Sequence, residues 1–208
     1  ELPATLENVH RNRTKTPQFF VDLPTQVGNP SFERELNYAT LRTSDSGYQL
    51  LGLFRMWNMM QYFNPNRDIM SEPGEDPSAY WDRVLRESIE SFGLARSVTA
   101  YQQSLLRLIT RINDTHSNLW SGISARPPVG PCQLPVDTRF VEGKAIVTRN
   151  SARNAEQAGP LQAGDVILRL GGKSMEELVE EIKPYYAASN EPTRLRDIGN
   201  YFSRGACG

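Results

Sequence analysis

Cysteine and histidine are scarce in this sequence: 208 residues carry two of each. Cys132 and Cys207 lie far apart along the chain, and neither sits in a CxxC or Cys/His cluster with metal-ligand spacing. Two free thiols and one disulfide both fit that pattern. His10 and His116 are too widely separated in sequence to suggest a shared metal site, so no zinc site is indicated. A phosphate-cradling loop is lacking as well, because Gly171-Gly172 runs into Lys173 and a helix cap without the other spaced glycines. The sequence calls for no cofactor and no metal.

An excess of charge of either sign is also missing. Lys plus Arg number 23 and Asp plus Glu 24, for a formal net charge of −1. No basic track for a phosphate backbone forms, which argues against nucleic acid as a partner. Nor is there a long apolar run: Leu50 to Phe63 is broken by Gly52, Arg55, Asn58 and Gln61, too short and too polar to cross ~30 Å of hydrocarbon. No membrane span is expected. The chain opens at Glu1 with neither an initiator methionine nor a basic-then-apolar leader, which fits a removed signal peptide and a cut chain equally.

What is present points to a folded chain, with 38% hydrophobic and 23% charged residues. The length suits one large domain or two small ones. Residues 1–44 are polar, with one apolar patch at Phe19, Phe20, Val21 and Leu23, and read as an arm lying on the next domain. From Asp45 the period becomes helical. Leu50, Leu51, Phe54, Trp57, Met60 and Phe63 predict a largely buried helix that Asn64-Pro65 ends. Asp76-Pro77 caps a second helix with Tyr80, Trp81, Val84, Leu85, Ile89 and Phe92 on its stripe, closing near Gly93. Ser97 caps a third through Leu105, Leu108, Ile109 and Ile112. These predict a small helical bundle over 45–126.

The Pro/Gly cluster at 126–131 marks a domain boundary. Beyond it the period shortens to two: Leu134, Val136, Thr138 and Phe140 alternate, Glu142-Gly143 turns, and Ala145 to Thr148 forms the return strand of a hairpin. Residues 152–158 read as a short helical piece closed by Gly159-Pro160, Val166 to Leu170 as a further strand, and Gly171-Gly172 as another turn. Ser174 and Glu177 make a capping box for a helix through Leu178, Val179 and Ile182 that Pro184 stops. Asn190 or Thr193 starts a last helix, and residues 127–208 end without a strand to close the second domain, as though truncated.

Two stretches resemble the tricorn-like branch of the carboxy-terminal processing serine peptidases. Residues 47–58, continuing to Tyr62-Phe63-Asn64-Pro65, are similar to the opening helix of that family's helical domain. Ala155-Glu156-Gln157-Ala158-Gly159-Pro160 followed by Gly164-Asp165-Val166-Ile167-Leu168 is similar to the PDZ pattern in which an Ala-x-x-Ala-Gly helix precedes a Gly-Asp-hydrophobic strand. Between them, Asn113-Asp114-Thr115-His116-Ser117 stands where the family has an Asp-x-His turn. The resemblance covers about residues 45–175. It implies an α+β chain in which a small helical bundle precedes a PDZ-like, partly open β-barrel with short helices.

By the same resemblance His116 is catalytic, and Thr115 takes a place where the family often has serine, so that its hydroxyl helps position the ring or the substrate. Chemistry agrees, since a serine hydroxyl near neutral pH needs an adjacent base and histidine supplies one. A helix-end histidine held by the dipole and terminal carbonyls is the plainer reading of the residue alone. Asp114 is read as a solvated helix-end residue, with Asp114, Thr115 and Ser117 each able to orient the ring. The family's nucleophilic serine, oxyanion glycine and terminal acid lie in a downstream α/β domain, and nothing here matches them. The expected partners are a peptide or unfolded protein substrate and that downstream domain, in an exported bacterial enzyme. Lys144, Ala145, Ile146, Val147 and Thr148 are the candidate strand for peptide addition, or else a core strand. A non-catalytic peptide-binding or scaffold module is the alternative function.

Overall fold

A computed structural model describes residues 2–12, 21–23, 29–38, 45–71, 73–119, 124–154 and 159–207. The chain divides into two compact units, Glu1–Arg42 and Thr43–Gly208. In the first, helix α1 (Leu2–Asn12) carries Pro3 in its first turn, where the missing N–H leaves no helical bond unmade. Leu6 and Val9 are exposed on it. A lone antiparallel bridge joins Asp22 to Ser31. The apolar patch at Phe19 and Phe20 lies outside the described residues, and a helix at 2–12 was not anticipated from composition.

The second unit is mixed helix and sheet, α+β in class, with two hydrophobic cores. Helices α2 (Ser46–Phe63), α3 (Pro77–Gly93) and α4 (Val98–Thr110) form the helical lobe. Each starts on the cap its sequence announces. Asp45 accepts from the Gly47 and Tyr48 amides, Asp76 from Ala79, and Ser97 from Ala100, which satisfies first-turn donors that have no helical partner. Their buried stripes meet around Leu53, Trp81, Val84, Phe92 and Leu108. Two tryptophans cross-link α2 and α3 reciprocally, as each indole N–H donates to the other's carbonyl at 3.0 Å. Trp81 is thereby fully buried and Trp57 half-buried, each with its one polar group paired.

The β lobe begins with a hairpin of β1 (Val136–Val141) and β2 (Lys144–Asn150). Its two-residue loop, Glu142-Gly143, has positive φ at both positions (51° and 75°), the turn whose twist matches the strands. The short β3 (Val166–Ile167) pairs on the other side of β2, giving the order β1-β2-β3. A two-stranded ribbon of β4 (Arg169–Leu170) and β5 (Lys173–Ser174) follows. The sheet is small and does not close into a barrel. The expected strand over 166–170 is thus two short strands parted at Leu168, whose side chain is exposed and whose carbonyl accepts from the Met175 N–H on the ribbon side. Residues 152–154 are not helical, and 155–158 lie outside the described residues.

Helix α5 (Met175–Ile182) carries the capping box, with Ser174 accepting from the Glu177 amide and Glu177 from the Ser174 amide. Helix α6 (Glu191–Gly199) starts at Asn190 and packs on β1, where the Thr138 hydroxyl donates to the Gly199 carbonyl at 2.7 Å. The chain's last stretch returns to the linker through a Cys132–Cys207 disulfide and a Cys132–Gly205 backbone bridge. Of the two cysteine states the sequence left open, the fold brings the pair together, with Cα atoms 5.1 Å apart. Helical and β lobes meet where α4 abuts the turn Lys183–Tyr185: the Thr110 hydroxyl bonds the Pro184 carbonyl and the Arg107 guanidinium lies over the Tyr185 ring.

Candidate active site

Helix α4 ends at Thr110, and the chain tightens through Arg111 and Ile112 before Asn113 takes a left-handed φ of 57°. That residue type tolerates the conformation because its short side chain can bond locally or nearby. Here the Asn113 amide donates to the Met70 carbonyl at 2.7 Å, which pins the start of the following turn to the helical lobe.

His116 stands at the tip of this turn with its side chain 95% exposed. Asp114 organises it twice over. One carboxylate oxygen accepts from the His116 backbone N–H at 2.9 Å and contacts ring Nδ1 at 3.1 Å. An ionised carboxylate can only accept, so a neutral imidazole making that contact carries its proton on Nδ1 and presents Nε2 as the acceptor on the exposed side. The arrangement is a carboxylate-oriented imidazole with its basic nitrogen open to whatever docks on this face. Among the described residues no serine hydroxyl is bonded to the ring.

Thr115 turns the other way. Its backbone N–H donates to the Ser189 hydroxyl at 3.1 Å, its own hydroxyl accepts from the Ser189 N–H at 3.0 Å, and the two side-chain oxygens are 3.2 Å apart. The Asp-Thr-His turn is therefore held at two points ahead of the histidine, by Met70 of the helical lobe through Asn113 and by Ser189 of the β lobe through Thr115.

Behind the turn lies a buried polar group. Arg126 donates to the Asn118 side-chain oxygen and its guanidinium sits 5.0 Å above the Tyr186 ring. Burial pushes the Tyr186 phenol pKa up and the Arg126 guanidinium pKa down. Arg126 Nε and the Tyr186 hydroxyl find no hydrogen-bond partner among the described residues.

Of the two readings of the 144–148 strand, the sheet order favours the core strand. Lys144 to Val147 pairs with β1 on one side, Ala145 and Ile146 pair with β3 on the other, and Val147 exchanges backbone bonds with Asp165 and Gly164. Ala145 and Val147 are fully buried, and the Thr148 hydroxyl donates back to Asp137. Ala145, Ile146 and Val147 are thus bonded on both sides, which favours the core-strand reading of the stretch Lys144, Ala145, Ile146, Val147 and Thr148 over strand addition at its centre. Among the described residues the outer strands of this sheet are β1 and the two-residue β3. The longer edge is that of β1. Beside it, against the first turns of α6, runs an open cleft of about 270 Å³ lined by Arg139, Phe140, Pro192, Thr193 and Arg196.

Of the three residues named as able to orient the ring, Asp114 is the one in contact with it, and its side chain is still 47% exposed, as a solvated residue's would be. One contributor escaped the sequence reading. Ser189 had no sequence signal, since it reaches Thr115 across 74 positions. Among the described residues no helix is long and apolar enough to cross a membrane, and no three His, Cys, Asp or Glu side chains gather as a metal site. In comparison with known proteins, no family model and no curated protein matches this chain.

Proposed function

We propose that the chain is the N-terminal portion of an exported serine peptidase of the tricorn-like kind, in which His116 is the general base, the β lobe is a PDZ-like peptide-binding domain, and the nucleophile is supplied from beyond residue 208. One observation carries this reading. The His116 ring is fixed through Nδ1 by Asp114 while its Nε2 is left open, the disposition a hydroxyl donor requires. A histidine that merely capped a helix end would turn toward main-chain carbonyls, and this one bonds a carboxylate. No cofactor enters the scheme: the imidazole takes the serine proton as the hydroxyl attacks the peptide carbonyl, then returns it to the leaving amine.

The test is hydrolysis of unfolded protein by the product of the complete reading frame. His116→Ala is expected to lower kcat/KM by roughly 10²–10⁴-fold. An unchanged rate would remove His116 from the chemistry.

The cleft at the β1 edge favours a second reading, a peptide-binding module without catalysis. An unpaired strand edge offers main-chain bonds, Phe140 an apolar contact, and Arg139 and Arg196 positive charge for a peptide carboxylate. A reading frame that stops without a serine nucleophile, together with peptide binding lost in Arg139→Glu, would select this reading over the enzyme.

A further inference from the structure

We propose that Ser189 is a positioning residue for His116, acting through a hydroxyl clasp with Thr115. The inference rests on the peptidase reading for its catalytic meaning, but the clasp itself is a matter of geometry. An imidazole 95% exposed has almost no packing to hold it, so its direction is set by its carboxylate partner and by the backbone it grows from. That backbone is fixed on one flank by Asn113 bonded to Met70. Next to the histidine, Thr115 is bonded through its side chain and its amide to Ser189.

The clasp is reciprocal. Each hydroxyl oxygen accepts the other residue's backbone N–H, and the Thr115 hydroxyl donates to Ser189 across 3.2 Å. Two residues from opposite lobes thus satisfy one another's main-chain donors at a place where neither belongs to a helix or strand. Ser189 directly precedes Asn190, the cap of α6, and Pro192 and Thr193 of that helix line the cleft beside β1. One short segment therefore holds the histidine turn and borders the place where a peptide would lie. Losing the Ser189 hydroxyl removes the bond to the Thr115 amide and the hydroxyl–hydroxyl bond, leaving the Ser189 N–H on Thr115, while Asp114 and Asn113 stay in place. A loosened base costs rate in the chemical step, because small displacements from reacting geometry are expensive.

The 208-residue protein has two histidines, so its imidazole proton NMR spectrum has two sets of ring signals, and His116→Ala assigns them. Ser189→Ala is expected to shift and broaden the His116 signals while those of His10 stay in place. Ser189→Thr, which keeps a hydroxyl, should restore them. Thr115→Val should also displace them, and combining it with Ser189→Ala should displace them further, because each single variant keeps one backbone-to-hydroxyl bond that the double variant loses. His116 signals that superimpose on those of the native protein in Ser189→Ala would overturn the proposal, whatever becomes of the peptidase reading.

In the product of the complete reading frame, Ser189→Ala should lower kcat by roughly ten- to a hundredfold and leave KM nearly unchanged. A rise in KM alone would make Ser189 a substrate contact and end the positioning role. If His116→Ala leaves hydrolysis intact, the peptidase reading fails and the clasp is judged by the NMR result.

Discussion

The helical lobe and the β lobe of the second unit are held together by different means. In the helical lobe the contacts that matter are near in sequence or repeat at helical spacing: caps at Asp45, Asp76 and Ser97, apolar stripes on α2, α3 and α4, and the paired indoles of Trp57 and Trp81. In the β lobe, contacts that close the core join distant positions. Phe202 packs against Phe140, Gly199 receives the Thr138 hydroxyl, and Cys207 is bonded to Cys132. Gly130 shows how tight the last closure is, because a Cβ there would lie 2.0 Å from the Gly205 carbonyl oxygen. A three-stranded sheet with one two-residue strand buries little by itself, so the far end of the chain must supply what the sheet lacks.

The largest expected effect tests the helical lobe. Trp81 is fully buried, and Trp81→Ala removes its ring and leaves the Trp57 carbonyl without its indole donor. A loss of about 3–5 kcal/mol is expected in denaturant unfolding. If the lobes are one cooperative unit, amides of β2 should lose hydrogen-exchange protection by the same amount. Protection of β2 that survives in the variant would show that the β lobe stands alone.

The converse experiment is smaller and starts from the other lobe. Cys132→Ser with Cys207→Ser opens the covalent loop and should cost about 2–4 kcal/mol, since the unfolded chain regains the freedom the loop removed. Trp57 and Trp81 belong to the helical lobe, so their fluorescence watches the half of the unit that lacks the disulfide. The fluorescence midpoint should fall with the disulfide, because Thr110 to Pro184, Thr115 to Ser189 and Arg107 over Tyr185 bind the lobes. A midpoint that does not move would divide the unit into two.

The same contrast explains what the sequence disclosed. Caps, breakers and turn residues act within four positions, so the bounds of α2, α3, α4 and α5 and the Glu142-Gly143 hairpin were legible from residue types alone. That β2 is central rather than an edge was not legible. Ala145 to Thr148 alternates in the same way whether β3 lies beside it or not, and β3 is two residues long. The disulfide was undecidable for a related reason, as spacing does not report which distant segments fold back on the linker. At the site, the Asp-x-His spacing carried the local half of the geometry. The Ser189 half depends on how α4 and the turn before α6 meet, which no periodicity encodes.

The smallest effect has the opposite sign and concerns the seam between the lobes. Tyr186 is 1% exposed and its hydroxyl has no hydrogen-bond partner among the described residues, while its ring lies under the Arg126 guanidinium. Leaving such a group unpaired costs about 1–3 kcal/mol, so Tyr186→Phe, which keeps the ring, should stabilise the protein by about 1 kcal/mol at pH 7. Burial raises the phenol pKa in the folded state above its unfolded value of about 10. Below that pH both states keep the proton and the shift contributes no slope. Above it the unfolded chain releases the proton first, so stability falls as pH rises toward the folded pKa. The phenylalanine variant lacks this slope, and its advantage in thermal midpoint should widen from pH 9 to about pH 11. A variant less stable than the parent at pH 7, or one whose advantage stays constant through this range, would mean that the hydroxyl is bonded in solution and that the seam is better satisfied than its geometry indicates.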